Sequence, residues 1–158
     1  MRGGAVPPAL LFAALSCALA FTPPRTRWLG LLAVAVALLV SWLPVPSAWI
    51  EIMFIGCWAS VAGTAALVHV RGVRFCPAVA LAINVGAWAG ATVAVTATRN
   101  ALPSAVPVLA LIVAAAWAVG RGWSIAVKVV SSWLIAIALL AAILPTLPTP
   151  GYAPDHME

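Results

Sequence analysis

Few residues in this chain carry groups able to do chemistry inside an apolar medium. Asn84, Glu51 and Lys128 are the polar or charged side chains set within apolar runs where each poses a question. An amide at membrane depth needs a hydrogen-bond partner. Trp88, Thr92 and Thr96 follow Asn84 at spacing four, so this face either lines a solute path or supplies an interhelical hydrogen bond that fixes packing. Lys128 shares a helix face with Ser124, Ser131 and Ser132. That stripe is either a vestibule for an anionic solute or lipid headgroup, or a snorkelling lysine above serines bonded back to carbonyls one turn earlier. Glu51 either couples to a proton or cation or lies in the headgroup layer.

Metal and catalytic chemistry have thinner support. His69 and Cys76 stand close in sequence, and the tail holds Asp155, His156 and Glu158, yet neither set has the spacing of a ligand cluster. Cys17, Cys57 and Cys76 form no CxxC pair and read as small hydrophobes. The sequence shows no Ser/His/Asp set, Walker loop or HExxH, so no cofactor, metal or catalytic residue is assigned and an enzyme is not expected.

The elements that carry these residues follow from hydropathy. Hydrophobic residues make up 65% of the 158, charged residues 7%, and the mean hydropathy is +1.16, too few charges to coat a water-soluble globule. Lipid is therefore the expected solvent. The eight Lys and Arg fall singly or in pairs between apolar runs, with no basic stripe, so nucleic acid is not an expected partner.

Six runs approach the roughly 17 to 25 apolar residues needed to span a bilayer. They cover about 5–21, 28–43, 49–70, 76–97, 102–120 and 123–144, and together predict an all-α integral membrane bundle forming a single domain over 1–144. Proline, glycine and arginine punctuate the joins, and Pro103 and Pro107 either kink the fifth helix or simply mark its start. The proline-rich 145–158 reads as an extended tail.

Charge asymmetry orients the spans. Arg25, Arg27, Arg71, Arg74, Arg121 and Lys128 fall toward one side, and Arg2 and Arg99 toward the other, so the first set is expected to be cytoplasmic. Both termini then face outward, into the periplasm of a bacterial inner membrane. The start of the chain, through Ala18, Leu19 and Ala20, also has the look of a cleavable signal peptide, which would leave five spans. Cleavage would put Arg25 and Arg27 on the translocated side, so an uncleaved first helix is the expectation.

Small residues point to close helix contacts. Gly86 and Gly90, extended by Ala82 and Ala94, form a ridge on the fourth helix, and Gly56, Ser60 and Thr64 offer a matching face on the third. The expectation is that the two faces meet, and such faces also permit homo- or hetero-oligomers.

The last run, from Ile125 to Leu140 with Lys128 followed by Ser132 and Trp133, resembles the closing helix of HupE/UreJ-type membrane proteins. The likeness covers about a tenth of the chain. It implies a membrane bundle and nickel handling through histidine and acidic residues in early helices, but the first four runs here hold no such motif and the likeness assigns no metal ligand. Three classes of function therefore stay open: an accessory or assembly subunit of a membrane complex, a small solute or metal-ion permease, and an intramembrane enzyme.

Overall fold

A computed structural model describes residues 6–70, 75–96 and 100–144, and among them every regular element is helical. Arg2, Arg71, Arg74, Ala97, Arg99 and the tail 145–158 lie outside the described residues. In chain order the helices are α1 (Val6–Ala20), α2 (Leu29–Ser41), α3 (Ile50–Ala66), α4 (Phe75–Thr96), α5 (Ala101–Ala105), α6 (Leu111–Gly120) and α7 (Ser124–Ile143). Five helical segments are long and apolar enough to cross a membrane, and α1 is a shorter apolar helix.

The chain is an integral membrane bundle with α1 at its centre. Phe12, Leu11, Leu15 and Leu19 are among its largest fully buried side chains, and α3, α4, α5, α6 and α7 all pack on α1. Ala9, Ala13, Ala14, Ser16, Cys17 and Ala18 keep the helix slim, so neighbours approach from every side. At 15 residues it is about 22 Å long. A helix enclosed by other helices need not match the hydrocarbon thickness, since its flanks face protein.

Outer helices divide into a packed stripe and a lipid-facing remainder. On α7, Val127, Ser131, Leu134 and Ala138 are buried at intervals of four, three and four, while Ile125 and Trp133 stay more than 70% exposed. That is the pattern of a helix touching protein along one edge and lipid elsewhere. The 3₁₀ segment Val106–Ala110, with Pro107 at its start, interrupts the fifth span between α5 and α6. Proline has no N–H to continue the α-helical ladder, so the tighter turn appears there.

Ends are closed locally. Thr22 Oγ1 donates to the Leu19 carbonyl at 2.7 Å, and Thr26 Oγ1 donates to Pro23 O at 2.7 Å, turning the chain from α1 into α2. At the end of α6, Gly122 adopts φ +85°, its N–H meets Val119 O and the Trp123 N–H meets Ala118 O. This pairing is the Schellman stop, and a side chain at Gly122 would be strained. The Arg121 guanidinium lies 4.7 Å from the Trp117 ring centroid, which stacks edge-on with Trp123. Trp28, Trp42, Trp49 and Trp123 flank helix ends and are all more than half exposed, as expected of rings at the headgroup level.

Candidate functional site

The glycine ridge meets a different helix from the one expected. A Cβ on Gly86 would run into the Ala33 carbonyl oxygen and come within 2.8 Å of Val36 Cβ, and one on Gly90 would lie 2.5 Å from Ala37 O and 2.7 Å from Val40 Cβ. The ridge therefore packs on α2, not on α3. Its true complement is Ala33 and Ala37, small residues four apart on α2, whose carbonyls the two glycines let approach.

The third helix meets α4 through the opposite, polar face. Asn84 Nδ2 donates to Ser60 Oγ at 2.5 Å, and Trp88 Nε1 donates to Asn84 Oδ1 at 3.1 Å. The Trp88 ring lies over Gly56, where any Cβ would collide with it. Registers agree along the seam: Ser60 is nine residues before His69 and Asn84 nine after Phe75, so both stand about 13 Å from the same end of the bundle. Ser60 is buried, Trp88 half-buried, and Asn84 exposed at the lipid-facing edge. The interhelical hydrogen bond expected of Asn84 is thus present.

Thr64, one turn on from Ser60, is only 1% exposed and its hydroxyl is buried without a hydrogen-bond partner. A desolvated, unmade hydrogen bond is costly, whereas a made one is worth about 1 kcal/mol. We expect Ser60→Ala to lower stability by about 1 kcal/mol and Thr64→Val, which keeps the shape and removes the orphan oxygen, to raise it by about 1 kcal/mol. Reversible unfolding in mixed micelles checks the pair; equal signs would contradict the assignment.

At the other expected sites the side chains disperse. Ser131 Oγ donates to Val127 O at 2.9 Å and is buried, whereas Ser132 Oγ donates to Lys128 O at 3.0 Å and is exposed beside Lys128. The single stripe expected on α7 is therefore split, because residues 131 and 132 point about 100° apart. The serine back-bonding is as anticipated. Ser132 Oγ also lies 3.2 Å from His69 Nε2, tying the end of α3 to α7. Nothing in the sequence marks that pair, which is 63 residues apart.

Glu51 is exposed in the first turn of α3, nine residues before Ser60 and eighteen before His69. Glu51, Asn84 and Lys128 thus occupy three levels of the bundle and share no chamber. Cys76 is exposed at the start of α4, Cys17 and Cys57 are buried, and no group of three metal-ligating side chains occurs among the described residues. A cleft of about 310 Å³ opens between α2, α4 and α5, lined by Leu38, Trp42, Val93, Leu102 and Pro103, and none of the three polar candidates reaches it.

In this setting the arrangement can join helices through neutral donors and acceptors. Against known proteins, no family model, no curated protein and no solved structure matches this chain.

Proposed function

We propose that this protein is a non-enzymatic accessory or assembly subunit of a membrane complex, held in a bacterial inner membrane with both termini on the periplasmic side. The observation that carries the reading is the Ser60–Asn84–Trp88 seam. The polar groups at mid-depth pair one helix with the next and end at a lipid-facing edge, which suits a protein that presents faces to other helices. The orientation rests on the excess of Arg and Lys on loops placed on one side.

A permease, the reading closest to the HupE/UreJ likeness, would use Asn84, Lys128 and Glu51 along a shared path. The two roles separate experimentally. Deleting the chain should lower the abundance of a defined membrane complex, measured by quantitative proteomics of membranes, and Lys128→Ala should restore that complex as well as wild type does. Loss of solute accumulation in abundant, folded Asn84→Ala and Lys128→Ala, with no complex affected, would contradict the subunit reading and favour transport.

A further inference from the structure

The polar seam leaves one hydrogen-bonding demand unmet at a depth where water cannot meet it. Asn84 offers two N–H donors and a carbonyl with two lone pairs. Among the described residues its Nδ2 serves Ser60 and its Oδ1 serves Trp88, one bond to each end of the amide. The side chain is nevertheless exposed, about 13 Å from one end of α4 and about 18 Å from the other, near the middle of a core about 30 Å thick. A second N–H and a second lone pair therefore have no partner among the described residues.

We propose that the chain self-associates in the membrane as a two-fold dimer across the α3/α4 seam, with Asn84 of each copy hydrogen-bonded to its counterpart. The inference rests on the assembly reading and names a second copy as the partner.

Depth and chemistry together choose that occupant. Two copies inserted in the same orientation place every residue level with itself, so a polar contact on the two-fold axis at mid-depth is made by a group able to pair with its own kind. A primary amide, donor and acceptor at once, can do so; an ammonium such as Lys128 or a carboxylate such as Glu51 repels its twin. The flanks allow the approach. Ala80 precedes Asn84 by one turn, and Gly63 stands on the exposed edge of α3 beside Ser60, with open space where a Cβ would be. Small residues there let the two seams close until the amides touch.

The test uses the full-length chain labelled with donor or acceptor dye and reconstituted into phosphatidylethanolamine–phosphatidylglycerol vesicles over a range of protein-to-lipid ratios. Energy transfer should rise and saturate as a dimer isotherm. Asn84→Leu should weaken association at least fivefold, and Asn84→Gln, which keeps the amide, should retain part of it. Because Asn84→Leu also removes the bond to Ser60, Gly63→Leu serves as a second probe: its side chain enters open space within the chain but should weaken the dimer by a similar factor. Wild type that stays monomeric at all densities, or association unchanged in both leucine variants, would overturn the proposal. Monomeric behaviour here together with complex loss on deletion would refute self-association while leaving the subunit reading standing; loss of neither would refute both.

Discussion

Gly86→Leu, and independently Gly90→Leu, are expected to prevent α2 from docking on α4, with the protein failing to survive extraction in mild detergent. The cause is backbone contact. At Gly90 the nearest atom to a new Cβ is Ala37 O at 2.5 Å, and at Gly86 it is Ala33 O, so no rotamer change can relieve the clash and the helices must separate. Overpacking a core costs roughly 1–3 kcal/mol when side chains can adjust, and more is expected where a carbonyl blocks the way. Even the two alanine variants should be destabilised. Gly120→Leu is the control, since added atoms there begin in open space. Thermal unfolding followed by loss of monodispersity should rank Gly86 and Gly90 far below this control; equal melting temperatures would show that α2 and α4 do not touch at this ridge. One consequence is that leucine at these two glycines reports on the fold of the chain itself, so it cannot be used to probe an external partner.

The second large effect concerns α1. Ten of its fifteen residues are buried, and the side chains of Phe12, Leu11, Leu15 and Leu19 fill the space between α3, α4, α6 and α7. Removing one such side chain typically costs about 2–5 kcal/mol, and removing the helix opens the whole centre. A chain made to begin at Phe21 is therefore expected not to accumulate as a folded bundle, whatever leader carries it into the membrane. Co-expression of residues 1–20 as a separate span should restore it, measured as recovery of folded bundle in membranes, because the helix contributes packing rather than connectivity. The resemblance of this segment to a signal peptide has a physical origin: both need an apolar, alanine-rich helix of about fifteen residues. In a signal peptide that helix is discarded, whereas here it is enclosed by neighbours.

Much of the fold was legible because bilayer physics is blunt. Runs of apolar residues between Arg, Pro and Gly marked the spans to within a few residues, whereas the 3₁₀ break at Pro107 in the fifth was not specified by them. What hydropathy does not encode is which helix lies beside which. The GxxxG ridge says that some backbone comes close, and Gly56, Ser60 and Thr64 looked like the match because they are nearest in sequence. Ala33 and Ala37 on α2 have the same spacing of four and carry the same signal. The central position of α1 had a signal too, since a segment that is apolar and small on every face is suited to burial on every side.

The polar positions divide in the same manner. Asn84 with Trp88 at spacing four was readable as a local pair on one face, and the bond to Ser60 follows once α3 and α4 are antiparallel neighbours of equal depth. The contact of His69 with Ser132 depends on α3 lying against α7, a tertiary fact with no periodicity behind it. Lys128 and Ser131 were grouped by a face that proved too wide: the packing edge of α7 falls between residues 131 and 132.

The account depends most on the first segment being a retained, membrane-crossing helix at the middle of a six-helix bundle. Distinct epitope tags at the two ends, probed by protease in sealed vesicles of known orientation, test this in one measurement. Six crossings predict both tags on one intact chain and cleaved from the same side, the periplasmic one. Tags cleaved from opposite sides, or an amino-terminal tag lost from the mature chain, would contradict it.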